Sequence, residues 1–456
     1  MKLVRNILGV TIASVFSISG YAATAQAAQS STVAVGAQAA PATTTAQTAS
    51  VQNTAAQAAL QQQIQQLQGQ INQLQNSINT ASTATGVYNP GGLHVLLDAS
   101  DNVLFETFPS ANNFSLAVMQ AKNTFQNGDL VFGGYVEQDT QYWDGDQIAS
   151  STGTYENGTQ ISLTSAKLDA MANINSWATS FVSLSASNLS PTSSSTSNTM
   201  ELEKAFLLLG NLNKSPIYGV LGKTYLPFGT FGGGGPWTAP LDKMYFRPDE
   251  TTQADLSYFK NGLNTNLAIF NNNSGLNSTA NYANDFAYSL NYSQTQGKWD
   301  YNMGAGYLND LRGTSTGIGS IDSGTRNYAV DLNAGVGYGL YALSAEFVQG
   351  SNPVAGNSGK PAAWNFTGTY SPILAGKLTL FSLSRDMTTQ LANVPVGFAG
   401  NAVPGSSANS GLRSQWVATV DREFFPNIFI GLELETAKTY TAQNTHTATI
   451  DVSAYF

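Results

Sequence analysis

Side chains able to do chemistry are few in this chain, and their spacing removes most reactions before any fold is considered. Cysteine is absent and the only histidines are His94 and His446. That excludes thiolate nucleophiles, disulfides and sulfur metal sites. Neither histidine stands in a Ser-His or metal-ligand pattern, although closure of the chain on itself would bring the two sequence ends together. The glycines from Gly232 to Gly235 occupy neither phosphate-cradling context, G-x-x-x-x-G-K-[ST] or G-x-G-x-x-G between strand and helix. Acids are plentiful, but Asp285, Asp300, Asp331, Glu346, Glu433 and Glu435 each fall on the polar side of an alternating segment, where a wet surface accounts for them. The expectation is a chain that is not an enzyme, with no catalytic residue, metal site or cofactor.

What the residues offer instead is a contact surface. From Gly222 the sequence reads GKTYLPFGTF, continues through four glycines to Pro236 and Trp237, and reaches LDKMYFRP between Leu241 and Pro248. Glycines permit close backbone approach and positive φ, prolines fix direction, and the rings supply flat contact area. Tyr225, Phe228, Phe231 and Trp237, with the cations Lys243 and Arg247, form the candidate substrate-binding or constriction set. Two placements satisfy them: a loop folded into a lumen, or an outer lid packing its own aromatics. Lys243 and Arg247 bring positive charge that the other inward positions largely lack.

The elements that must carry such a loop follow from composition. Only 10% of residues are charged, against about 25% in ordinary globular chains, while Gly, Asn, Ser, Thr and Tyr are abundant. A barrel in lipid has this profile, with apolar residues alternating outward and small polar ones facing a wet lumen. Acidic residues outnumber Lys and Arg, 28 against 19, so nucleic acid is not an expected partner. At the C-terminus Ala448, Ile450, Val452, Ala454 and Phe456 alternate with Thr447, Thr449, Asp451, Ser453 and Tyr455. This pattern resembles the terminal signal that barrel-assembly machinery reads in bacterial outer-membrane proteins, with Phe456 as its last residue.

After Gly91 the chain divides into strand pairs. Tyr328, Val330, Leu332, Ala334, Val336 and Tyr338 oppose Asn327, Asp331, Asn333, Gly335 and Gly337, aromatics bracketing the apolar face as interfacial girdles do. Short connections alternate with long ones. Counting from Phe114 gives an odd number of strands; a single-chain bacterial barrel needs an even one, and Leu93 to Leu97 is the candidate that would complete it. The expected fold class is all-β: a transmembrane antiparallel up-and-down β-barrel of about 16 to 18 strands, occupying residues 91–456, with outer-membrane lipid around it.

The N-terminus supplies an address. Lys2 and Arg5 precede an apolar run from Ile7 to Ile18, and Ala23-Thr24-Ala25 or Ala25-Gln26-Ala27 offers a cleavage site, so residues 1–27 read as a secretory signal peptide. Residues 28–59 are a low-complexity linker. In 60–82, Leu60, Ile64, Leu67, Ile71, Leu74 and Ile78 form a short coiled-coil helix, a route to a homo-oligomer; a lone amphipathic helix on another surface is the alternative. The expected location is the bacterial outer membrane, with this extension in the periplasm.

GKTYLPFGTFGGGGPW, the following FRPDE, the LHVLLD lead-in and the coil-then-barrel layout resemble the LbtU family of siderophore porins. The resemblance implies ferric siderophore uptake without a TonB-type plug, and it transfers no residue roles. The acidic inward set favours cations, so a general or cation-selective diffusion porin for small hydrophilic solutes stands as the alternative, and a surface-display or adhesin barrel as the second.

Overall fold

The structure is a computed structural model, and it describes residues 94–97, 114–122, 125–146, 148–150, 153–155, 157–189, 200–232, 238–272, 283–312, 314, 318, 326–394, 411–425 and 427–455. The signal peptide, linker and coil expected before His94 lie outside the described residues, as do Trp237 and Phe456.

In chain order the elements are β1 (His94–Leu97), α1 (Phe114–Ala121), β2 (Asp129–Gly145) and a small hairpin, β3 (Ile148–Ser150) and β4 (Gly153–Tyr155). Then come β5 (Gly158–Asn175), β6 (Ala178–Leu189), β7 (Glu201–Gly210) and β8 (Ile217–Thr224). A 3.6-period turn, α2 (Leu241–Phe246), precedes β9 (Thr251–Lys260), β10 (Leu263–Phe270), β11 (Asp285–Gln296) and β12 (Trp299–Leu308). The remainder is β13 (Ala329–Tyr338), β14 (Tyr341–Gly350), β15 (Ala362–Tyr370), β16 (Ile373–Leu374), β17 (Lys377–Thr389), β18 (Leu412–Phe425), β19 (Ile428–Thr439) and β20 (Asn444–Tyr455).

Among the described residues, sixteen of these strands form a closed antiparallel barrel, each paired with its neighbours in chain order; β1 and β16 are short additions to the sheet. Closure is made by β20 on β2, from Tyr135 opposite Tyr455 to Gly145 opposite Thr445, with the first pair of rings stacked at 5.5 Å. A closed barrel leaves no free edge along its wall and satisfies every ladder group internally, which is the condition for crossing hydrocarbon.

The outer surface meets that condition too. Leu256, Leu332 and Leu343 are each more than half exposed, and outward rows on the other strands are similarly apolar. Water would not tolerate a band of this extent. Ring pairs bracket it: Trp299 with Tyr338 at 4.6 Å and Tyr341 with Tyr370 at 4.8 Å on the short-turn rim, Phe286 with Tyr307 at 5.7 Å and Phe347 with Trp364 at 5.1 Å toward the long loops. No helix among the described residues is long and apolar enough to cross a membrane; the crossing is made by strands.

Two sequence expectations change. The segment from Phe114 is not a strand but the helix α1, because FSLAVMQA also sets Phe114, Ala117, Val118 and Ala121 on one helical stripe, and eight residues are too few for period to decide. The segment ending at Leu97 does not close the barrel. β1 pairs parallel to β2, His94 opposite Asp129 through Leu97 opposite Phe132. It takes the edge of β2 that β20, ending opposite Tyr135, leaves open, and a parallel partner cannot be a member of an up-and-down wall. The count is therefore sixteen rather than eighteen.

One glycine sets the backbone of β8 two residues before the long β8–β9 connection leaves the wall at Thr224. Gly222 has φ of 134°, and a Cβ there would stand 2.3 Å from the Ala205 carbonyl oxygen. Gly222→Val is expected to cost about 1–3 kcal/mol from backbone strain alone, with further loss from that clash. A lowered urea midpoint for the detergent-solubilised barrel checks it; an unchanged midpoint would mean the bend relaxes freely.

Candidate functional site: a lumen crossed by a loop

The β8–β9 connection turns into the barrel and is bonded to the opposite wall. The Glu346 carboxylate on β14 accepts from Thr230 N at 2.6 Å, from Phe231 N at 2.7 Å and from the Thr230 hydroxyl. Further along, Glu433 on β19 accepts from the Thr238 hydroxyl at 2.6 Å. Gln415 Nε2 on β18 donates to the Ala239 carbonyl at 2.9 Å, and Leu412 N donates to the Tyr245 hydroxyl oxygen at 2.7 Å. These anchors lie across the barrel from β8 and β9, so the loop spans the lumen. The β12–β13 loop holds it from above: Ile318 N donates to Tyr245 O and Asp249 N to Thr314 O.

Apolar packing explains why the loop stays folded. Leu226, Phe228, Phe231, Leu241, Tyr245 and Phe246 are buried against inward Ala268, Ala287, Ala329 and Ala363 and against Phe270 and Leu308. Small alanines on the wall make room for the rings. Gly306 does the same at closest approach, its position standing 3.2 Å from the Phe228 ring for any added Cβ.

A second element fills the other end. α1 lies against inward Phe181, Phe206, Leu208, Tyr218 and Val220. Phe114 meets Phe181, Phe206 and Tyr225 edge-on at 5.3, 5.9 and 6.0 Å. Lys122 Nζ donates to the carbonyls of Gly210 at 2.8 Å and Ser176 at 3.2 Å, both at short turns. The inner wall under α1 is thus an ordinary hydrophobic core.

Between these two packed regions lies a charged cluster. Tyr225 is held between Lys204 Nζ at 4.8 Å and the Arg247 guanidinium at 4.6 Å from its ring centre. Arg247 pairs with Glu250 at 2.9 Å, while Glu203 bridges Lys167, at 3.1 Å, and Lys204. Lys243 joins the group from α2. Burial, then the nearby Arg247 and Lys167 charges, push its ammonium down to about 7, against the pull of Asp242 and Glu250. Asp242 next to it has its carboxyl raised well above the usual range by burial and by the carboxylates of Glu346 and Asp386. The cations Lys167, Lys204, Lys243 and Arg247 thus gather on the β5, β7 and α2 side, beside the acids Glu203 and Glu250, while the β13 to β20 wall carries Asp331, Glu346, Asp386, Glu433 and Glu435 on its inner face.

The predicted set divides accordingly. Tyr225, Lys243 and Arg247 come together, whereas Phe228 and Phe231 are buried in the loop's own core. Lys167 and Lys204 correct the expectation that the lumen lacks other positive charge, and sequence reading missed both. The sequence marks only the wall beside Lys204: Ala205 to Leu209 is apolar on both faces, as on an inner wall covered by protein. Asp285, Asp331, Glu346, Glu433 and Glu435 are buried on the inner face as expected. The histidines do not meet. His94 is registered with Asp129 and His446 with Asp144, at opposite ends of β2, roughly 50 Å apart by strand rise. His446 instead lies 3.0 Å from the Thr436 hydroxyl on the outer face.

Fold, outer surface and lumen define a membrane β-barrel with an inward-folded loop. The chain belongs to the family described as "Protein of unknown function (DUF3573)", which it matches over residues 101–328, from before α1 through the end of β12 and beyond the loop. A UPF0422 protein of Coxiella burnetii (strain RSA 493 / Nine Mile phase I) is 26% identical over 102 residues, 22% of this chain and 20% of that protein's length. The match thus spans about a fifth of that relative. Among solved structures, an anion-selective porin from Comamonas acidovorans is similar at 10% identity and TM-score 0.49, covering 72% of this chain and 99% of that one. The outer membrane channel DcaP of Acinetobacter baumannii is similar at 11% identity and TM-score 0.46, covering 73% and 99%.

Proposed function

We propose that this protein is an outer-membrane channel for small solutes, with the long loops outside, the short turns in the periplasm and residues Tyr225 to Arg247 as the selecting element. The observation that carries the reading is the loop tied across the lumen to Glu346 and Glu433. A display barrel has no use for a loop so anchored inside. Within this reading the solute is an anionic ferric siderophore that passes the Lys167, Lys204, Lys243 and Arg247 side. The acidic wall supports a second reading, a cation-preferring diffusion porin, because charge of one sign in a narrow low-dielectric passage enriches the other.

Conductance across planar bilayers, with and without ferric siderophore, separates the two. Reversible block is expected for the first reading, and an open pore indifferent to every ferric complex leaves the second. Lys243 adds a pH signature. Below about 7 it is protonated and attracts anions; as pH rises through that value the charge is lost. Block is therefore expected to weaken between pH 6 and pH 8, by about fivefold if the ammonium contributes roughly 1 kcal/mol. Lys243→Gln should remove the pH dependence, and Arg247→Gln in addition should weaken the block that remains. Block that ignores both substitutions would take these residues out of the site.

A further inference from the structure

The outer surface carries a feature that the channel leaves unused. On β13, β14 and β15 the outward residues Ala334, Ala345 and Gly368 are small: Ala334 is opposite Ala345, and Gly368, opposite Leu343, lies on the next outward rung. They leave a groove of about 620 Å³ flanked by Val336, Leu343, Phe366 and Leu383, with Arg385 and Trp416 at one end. The Arg385 guanidinium lies 4.9 Å from the Trp416 ring centre, and its Nη1 donates to the Gln415 carbonyl at 3.3 Å. This end belongs to the half of β17 nearer the long loops.

A cation facing lipid is costly at the bilayer midplane and costs little near the interface. Trp416 is a residue type of that interface. Two more cations stand just above. Lys438 is opposite Ser414, and Arg413 is exposed at the β18 bulge between Leu412 and Ser414. Among the described residues, no outward acid lies in this half of β15, β17, β18 or β19. In a chain with 28 acids and 19 Lys plus Arg, such a local excess runs against composition.

An apolar groove ending in cations at membrane depth matches an acyl chain ending in an anion. We propose that the groove binds one acyl chain of a phosphate-bearing glycolipid of the outer leaflet, its phosphate seated on Arg385 with Lys438 and Arg413 beside it. Charge selects this occupant over a second copy of the chain, whose outward rows present no acid at mid-barrel among the described residues. The leaflet assignment rests on the proposed outer-membrane orientation.

The test is native mass spectrometry of the full chain in detergent, titrated separately with a diphosphorylated acylated glucosamine disaccharide, its dephosphorylated form and phosphatidylethanolamine. Retention of the phosphorylated glycolipid alone is expected. Arg385→Gln and Lys438→Gln should each lower it about fivefold, at about 1 kcal/mol per surface cation. Ala345→Phe, which fills the groove and keeps every charge, should lower it as well, and heat-resistant gel mobility verifies that each variant is folded. Equal retention of all three lipids, or unchanged retention in the charge variants, overturns the site. So does an oligomer that Ala345→Phe dissociates while glycolipid retention holds. Conductance of the same samples keeps the readings apart: lost glycolipid retention with normal conductance fails this site alone, and the converse fails the channel alone.

Discussion

Glu346→Ala with Glu433→Ala is expected to free the loop from the far wall and to give a larger, noisier and less selective single-channel current. Glu346 gathers two backbone N–H groups and a hydroxyl, and Glu433 accepts a hydroxyl and the more distant Thr238 N. Hydrogen bonds to a charged acceptor contribute roughly 1.5–3 kcal/mol each. Losing about 3 kcal/mol of anchoring raises the detached population by about a hundredfold. The apolar part of the loop, with Phe228, Tyr245 and Phe246, remains buried against β10 to β15, so detachment is local and the barrel persists. Because the chain has no cysteine, Thr230→Cys with Glu346→Cys supplies a reversible control on an empty background. With Glu433→Ala added to this pair, the oxidised form should conduct like the parent and the reduced form like the double alanine variant. Identical traces in all forms would show that the loop does not limit the current.

How much of this was legible depends on which face a residue serves. Outward rows such as Tyr328 to Tyr338 announce themselves, since only lipid lets Leu332 and Tyr338 stand exposed, and the alternation of short and long connections gives the up-and-down order. The loop was legible as unusual, because Gly222, Pro227 and the ring-rich stretch after it resist an open coil. Its anchors were not. Glu346 and Glu433 look in sequence like Asp300, a lumen acid on the same kind of polar row, and only the partner distinguishes a latch from a wet position. The same limit hid Lys204, whose contact with Tyr225 depends on a register no local pattern contains. α1 was misread for a different reason: eight mainly apolar residues fit either period, and it is burial inside the wall that selects the helix.

α1 carries the second large effect, and it follows from Phe114. That ring touches the inner wall through Phe181 and Phe206 and touches the loop through Tyr225, the residue clasped by Lys204 and Arg247. Phe114→Ala removes a buried aromatic, a loss of about 3–5 kcal/mol. The strands under α1 are laddered to each other, and the polar ties at its end, from Lys122 to Ser176 and Gly210, do not involve Phe114, so the loss falls on α1's docking rather than on the wall. Leu208 reports it directly, being fully buried under α1 now. In a Leu208→Cys background a small water-soluble thiol reagent should label slowly. With Phe114→Ala added, labelling should speed by about a hundredfold or more if opening limits access, while heat-resistant mobility of the barrel is retained. The loosened Tyr225 should also weaken anion block with Lys243 and Arg247 still in place. Slow labelling in both backgrounds would mean that α1 docks independently of Phe114, and the link from the N-terminal segment to the loop would fall with it.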